Sequence, residues 1–222
     1  NYRYGAICSD DCYNILIEGN LVEHNSNAGI FFSRNMTDSI ARDNHIVNAR
    51  TGVLLSESSN NQIYNNTIEG ATGEGIGLLN PDLTDDGVTE GNLVYNNRIS
   101  NSGTGVSATR SQNNIVENTT FSGIESGEFR IFGEGSALTI KGQYFDNTLI
   151  SVGGSETGVS VEIVDSGTIQ VTEGAGDEEE GDEGNGDGES ETQTYNTNNE
   201  PFRRTLSDGD SITVTSTASA EG

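Results

Sequence analysis

The sequence predicts an all-β chain: a parallel β-helix of about five coils over residues 1–127, then a small antiparallel, sandwich-like β domain over 128–222. Three observations carry this. Glycine followed by an apolar run recurs at Gly5, Gly29, Gly52, Gly75 and Gly105, positions that lie 24, 23, 23 and 30 residues apart by subtraction. Each repeat closes on one pattern, an apolar residue, two polar ones, an Asn or Thr, one more, and an apolar residue, as in Ile63-Tyr64-Asn65-Asn66-Thr67-Ile68. After Gly127 both markers disappear while short apolar–polar alternation continues. A fixed period in this range marks a solenoid.

The filling of the period selects the kind of solenoid. Leucine-rich repeats need a helical or leucine-dense outer arc, but these arcs are Asn, Ser, Gly and Thr, which favour turns. Three short strands per coil follow. Asn20, Asn44, Asn66 and Asn97 are then expected to stack at one turn, with Thr119 continuing the column and each side chain satisfying backbone amides. In the first strand, one register turns Ala6, Ile30, Val53, Ile76 and Val106 inward. It leaves Ile7, Phe31, Leu54, Gly77 and Ser107 outside; a slipped register swaps the two rows, and either way an apolar stripe remains that suits cover by another chain or by the tail domain. Five residues past each opening glycine stand Asp10, Arg34, Glu57, Asn80 and Arg110, expected as an exposed column of alternating charge. These rows make Phe31, Arg34, Leu54, Glu57 and Arg110 the candidate binding residues.

The fourth coil carries about seven extra residues by its spacing, visible as Asn80 to Gly87. Asp82, Asp85 and Asp86 there are candidate ligands for Ca2+, since hard cations take several carboxylates; a solvated acidic loop is the plainer reading. No other cofactor is expected. Beyond Gly127, runs such as Phe129-Arg130-Ile131-Phe132 and Val159-Ser160-Val161-Glu162-Ile163 read as antiparallel strands. Residues 174–191 are Gly, Asp and Glu with nothing to bury, expected as a disordered acidic loop.

The formal charge is -25, from 35 acids against 10 bases, and Lys141 is the one lysine. Removing the ten acids between Glu173 and Glu191 still leaves 25 against 10, so the excess is spread along the chain. That distribution suits a salt-rich environment, where self-repulsion is screened, and it disfavours nucleic acid as a partner. No apolar run suggests membrane insertion. Only 31% of residues are hydrophobic and Trp is missing, which fits coils with narrow interiors better than a globule. The chain opens in mid-coil, so we expect preceding coils or another chain to cover that end.

Counted from Gly5, Cys8 falls at the position of Phe32, Leu55 and Leu78, an apolar column that suits a buried thiol. A disulfide to Cys12 stays open. Asn-x-Thr sequons stand at Asn35, Asn65 and Asn118.

The first coil opens with Tyr4-Gly5-Ala6-Ile7-Cys8-Ser9-Asp10, and Ser33-Arg34 follows one coil later. In these stretches the chain resembles the right-handed β-helix of mannuronan C5-epimerases, within the pectin-lyase-like superfamily, whose motif is Tyr-Gly-x-Asp-Pro-His-Asp and which keeps an Arg where Arg34 falls. The resemblance implies Tyr4 as proton donor, Arg34 as neutraliser of a substrate carboxylate, and a role for Asp10. The family's catalytic Asp falls on Ile7, however, and its general-base His on Ser9. Abstracting a proton beside a carboxylate needs a positioned base, and neither residue supplies one. The chain is therefore expected to be a non-catalytic extracellular or virion-surface module, like a tailspike or adhesin. Its partner would be a glycan or another protein, and a homotrimer is one form it could take. A carbohydrate epimerase or lyase, and a purely structural element, are the rival expectations.

Overall fold

A computed structural model describes residues 5–81, 87–133, 135–141, 148–153, 159–164, 167–172, 192–197, 202–206 and 211–215. The first coil is β1 (Gly5–Asp10), β2 (Leu16–Glu18) and β3 (Leu21–Glu23), the second β4 (Ala28–Ser33), β5 (Ile40–Arg42) and β6 (His45–Val47). The third is β7 (Thr51–Ser56), β8 (Gln62–Tyr64) and β9 (Thr67–Glu69), the fourth β10 (Glu74–Leu79), β11 (Leu93–Tyr95) and β12 (Arg98–Ser100). A fifth, β13 (Thr104–Thr109), β14 (Asn114–Glu117) and β15 (Thr120–Ser122), completes the regular part. Corresponding strands stack in parallel, giving three sheets. β15 ends the third sheet.

The interior is a set of columns. Ile30, Val53, Ile76, Val106 and Phe129 lie in register and are fully buried, as are Phe32, Leu55, Leu78, Ala108 and Ile131 two residues on. Ile17, Ala41, Ile63, Val94 and Val116 line the second sheet, and Val22, Ile46, Ile68 and Ile99 the third.

Coils turn where the backbone enters the left-handed region. The corner between the second and third sheets is Gly19, Asp43, Asn65, Asn96 and Asn118, with φ of 66°, 54°, 54°, 53° and 48°. Gly, Asn and Asp tolerate this conformation best, so the composition of the arcs has a steric cause. One residue further on, the expected asparagine column forms. Asn20 Nδ2 donates to Asn44 Oδ1 (3.0 Å), Asn44 Nδ2 to Asn66 Oδ1 (2.9 Å) and Asn66 Nδ2 to Asn97 Oδ1 (3.0 Å). Each acceptor oxygen also takes the backbone N–H of the preceding asparagine. Thr119 is buried at the foot of the column, but its hydroxyl donates locally to Glu117 O (3.4 Å).

The opening glycines answer to close approach. A Cβ on Gly52 would stand 2.5 Å from Gly75 O and 2.5 Å from Ile68 Cγ2; one on Gly75 would stand 2.5 Å from Ile99 Cγ2 and 2.8 Å from Gly105 O. No side chain fits between adjoining coils there.

Three expectations are corrected. The first coil is one residue out of the expected register, because Gly5 pairs with Ala28 and Ile7 with Ile30. Ile7 therefore packs against the core, and Cys8 aligns with Phe31 rather than Phe32. Gly5 only imitates the repeat; the second coil has one extra residue at its first corner, where Arg34 and Asn35 both take left-handed backbone, φ 30° and 55°. Cys12 carries a free thiol that donates to Asp10 O (3.1 Å).

The second correction concerns the strands after Gly127. β16 (Phe129–Phe132), β17 (Ala137–Lys141), β18 (Thr148–Gly153) and β19 (Val159–Val164) continue the first two sheets in parallel. Val106 pairs with Phe129 and Ile140 with Ile163, each 23 residues on, so the period persists without its Gly and Asn markers. Antiparallel pairing enters only with β20 (Gly167–Thr172), β21 (Thr192–Thr197), β22 (Phe202–Leu206) and β23 (Ser211–Thr215). β23 pairs with β18 and β20, β21 with β20, and β22 with β19. Residues 174–191 lie outside the described residues.

The third correction is the charge column. Asp10 pairs with Ser33, one residue before Arg34, so it does not head the row. Arg34, Glu57, Asn80 and Arg110 do share a column, each following a residue of the aligned row Ser33, Ser56, Leu79 and Thr109.

Candidate functional site

The sequence pointed to the outer face of the first sheet. Its central row runs Phe31, Leu54, Gly77, Ser107 and Arg130. Phe31 and Leu54 are half-buried, and Leu54 leans over Gly77, where an added Cβ would meet Leu54 Cδ1 at 2.9 Å. With Ile7 turned to the core, the large apolar side chains of this row are Phe31 and Leu54. Hydroxyls flank them. Thr51 Oγ1 donates to Glu74 Oε2 (2.9 Å) on one side, and Ser33, Ser56 and Thr109 follow on the other. Beyond them the Arg130 guanidinium lies 5.5 Å from the Phe132 ring centroid.

The corner beside this face is unlike the others. Arg34, Glu57 and Arg110 take φ of 30°, 53° and 49°, where the equivalent places at other corners are mostly Asn, Asp or Gly. A non-glycine residue outside the Asn/Asp class pays about 1 kcal/mol or more for such a conformation. The three side chains do different work. Arg110 Nη1 donates to Pro81 O (3.0 Å), and Gly87 packs against the Glu57 side chain, where a Cβ would come within 2.8 Å of Cγ. Ser59 Oγ adds a bond to Val88 O (3.0 Å). Glu57 and Arg110 thus seat the ends of the fourth-coil insertion, while Arg34 is exposed with no side-chain partner among the described residues.

Tyr4, Asp82, Asp85 and Asp86 lie outside the described residues. Among the described residues no group of three or more His, Cys, Asp or Glu is placed to hold a metal. No helix among them is long and apolar enough to cross a membrane.

A second surface was missed. On the outer face of the second sheet, Glu18, Arg42, Tyr64, Tyr95, Glu117 and Lys141 form one row. Arg42 Nη2 meets Glu18 Oε1 at 2.8 Å, and its Nη1 donates to Tyr64 Oη at 3.2 Å. Tyr64 and Tyr95 stack with centroids 4.6 Å apart, and Lys141 Nζ meets Glu117 Oε2 at 3.3 Å. The Tyr64 hydroxyl, then the Glu18 carboxylate, holds the Arg42 guanidinium above its usual range. Burial, reinforced by Tyr64, pushes the Tyr95 hydroxyl upward. The tyrosine faces meet along the solenoid axis, so this row closes on itself instead of offering open rings for a ligand to stack on. Beside it lies a depression of about 290 Å³ lined by Ile15, Leu16, Ile40, Arg42 and Tyr64. The signal for the row was legible: Tyr64 and Tyr95 each follow the inward residue of a repeat's closing pattern, so alternation turns both outward.

The right-handed β-helix family model matches residues 1–174. The match covers more than half the chain and agrees with the stacked parallel sheets, so the chain belongs to the right-handed β-helix family. No curated protein and no solved structure matches it significantly.

Proposed function

We propose that this chain is a non-catalytic extracellular or virion-surface β-helix module that recognises a glycan, in the manner of tailspikes and adhesins. The observation that carries the reading is the Arg34 corner: strained backbone bearing an exposed guanidinium with no side-chain partner among the described residues, on an acidic protein. Phe31 and Leu54 supply the apolar floor beside it, and the Ser and Thr rows supply hydroxyl partners. Glu57 and Arg110 hold the insertion over the same edge. A glycan suits this face better than a covering protein, because two half-buried apolar residues fall well short of a standard interface core. That also weakens the homotrimer. The acid excess accords with a salt-rich setting, and Ca2+ at Asp82, Asp85 and Asp86 remains part of the proposal, to be tested by calorimetric titration.

A glycan array with the full chain tests the reading. Arg34→Ala should weaken the best ligand about tenfold, by loss of a charge-assisted hydrogen bond, while Arg98→Ala on the third sheet leaves it unchanged. Equal affinity in wild type and Arg34→Ala would overturn it. The enzyme reading is favoured only by Tyr4, Asp10 and Arg34 of the epimerase-like stretch. Incubation with polymannuronate tests it, through C5 proton exchange or an unsaturated product.

A further inference from the structure

Asn-x-Thr sequences begin at Asn35, Asn65 and Asn118, and the ladder uses none of these three asparagines. The fold sorts its asparagines sharply. Asn44, Asn61, Asn66, Asn92, Asn97 and Asn114 are at most 2% exposed. Asn65 and Asn118 are exposed instead, both at the left-handed corner between the second and third sheets. Neither side chain has a hydrogen-bond partner among the described residues. The middle residues of their sequons, Asn66 and Thr119, turn inward, and the third residues, Thr67 and Thr120, open strands of the third sheet on its outer side.

The left-handed corner restricts its residue to the Gly, Asn and Asp class and the column sets the middle residue, but neither requires Asn with Thr two places on. At the corner the other coils carry Gly19, Asp43 and Asn96, and at the strand opening Leu21, His45 and Arg98. Two coils nonetheless combine Asn and Thr at that spacing. We propose that Asn65 and Asn118 are N-glycosylation sites, an inference that rests on the extracellular part of the reading above. The donor is a lipid-phosphate-linked oligosaccharide and the catalyst an oligosaccharyltransferase. Asn Nδ2 forms a bond to the anomeric carbon, the bond from that carbon to the phosphate oxygen breaks, and the lipid phosphate leaves with the electron pair. One Nδ2 proton passes to a base of the transferase, and one N–H stays on the amide.

The two sites lie two rungs apart on one edge, about 10 Å at the usual strand spacing. Sugars there cover the edge between the second and third sheets and leave the first-sheet face open for its ligand. Asn35 is excluded from the proposal: its Nδ2 donates to Asp11 Oδ1 (3.0 Å), and a glycan there would crowd Arg34.

The test compares the intact mass of the full chain recovered from a eukaryotic secretory pathway with that of the chain made in bacterial cytoplasm. We expect glycans at Asn65 and Asn118, located by the Asn-to-Asp conversion that enzymatic deglycosylation leaves. Thr67→Val and Thr120→Val should each remove one glycan and together both. These variants keep the asparagines and a β-branched residue at each strand opening, so circular dichroism should be unchanged. A secreted chain at polypeptide mass, one glycosylated only at Asn35, or undiminished glycan in the double variant overturns the proposal. Glycan recognition is measured separately, on the bacterial and the deglycosylated chain: if it is absent while the secreted chain carries both glycans, the functional reading alone falls, and if it is present while the secreted chain carries none, the sites alone fall.

Discussion

Asn66 illustrates how one residue sustains its surroundings. Its Oδ1 accepts from both the backbone N–H and the Nδ2 of Asn44, and its Nδ2 donates to Ala41 O and Asn97 Oδ1. Asn66→Ala strands several buried polar groups at once, each worth about 1–3 kcal/mol. We expect a loss of about 3 kcal/mol or more, read from the urea midpoint. Ser111 gives the opposite case. Its hydroxyl is buried with no hydrogen-bond partner among the described residues, whereas Ser58 Oγ, equally buried, donates to Ser56 O (3.0 Å). Ser111→Ala should be neutral or slightly stabilising, and Ser58→Ala should cost about 1 kcal/mol. Tyr95 carries a pH prediction. Its folded pKa is raised, so its contribution is complete below the unfolded value of about 10 and is lost as pH rises from there through the folded pKa. Tyr64→Phe removes the secondary causes and should lower the Tyr95 midpoint in an alkaline ultraviolet titration, with burial keeping the rest of the shift.

At the scale of the element, the coil is limited by how closely two backbones can approach. Gly52→Ala would force a methyl onto Gly75 O and Ile68 Cγ2, both 2.5 Å away. Neither can move without displacing a rung, so the change should destabilise by about 1–3 kcal/mol or more, against an effect within about 0.5 kcal/mol for Ser122→Ala on the exposed third sheet. The glycine and asparagine periods made this element readable, but not completely. A second ladder was overlooked: Asn61 Nδ2 donates to Asn92 Oδ1 (3.1 Å) and Asn92 Nδ2 to Asn114 Oδ1 (3.0 Å), with Ser39 above, its N–H donating to Asn61 Oδ1. Its members stand five residues before Asn66, Asn97 and Thr119, a spacing visible in the sequence once sought. The parallel continuation through β16 to β19 was not legible, because an alternating strand looks the same whether its neighbour runs with it or against it.

For the whole molecule, charge is the dominant long-range term. With -25 on 222 residues, self-repulsion opposes the folded rod, and salt screens it. The melting temperature should rise between about 0.1 and 1 M sodium chloride, as the Debye length falls from about 10 to about 3 Å. A flat or falling melting curve over that range would remove the salt-adapted reading. The first coil also keeps Tyr13, Leu16 and Leu21 largely exposed, whereas Ile40, aligned with Leu16 in the second coil, is half-buried.

Periodicity and the few residues a left-handed corner accepts were enough to read that the chain winds, how long its regular coils are, and that Asn20, Asn44, Asn66 and Asn97 stack. It also marked Phe31, Leu54 and Arg34 as one neighbourhood. Three-dimensional packing set the register of the first coil, the parallel pairing beyond Gly127, and which of Arg34, Glu57 and Arg110 has no side-chain partner among the described residues. Those outcomes depend on contacts between residues more than twenty positions apart, where a one-residue insertion beside Arg34 shifts every side chain before it and leaves little local trace.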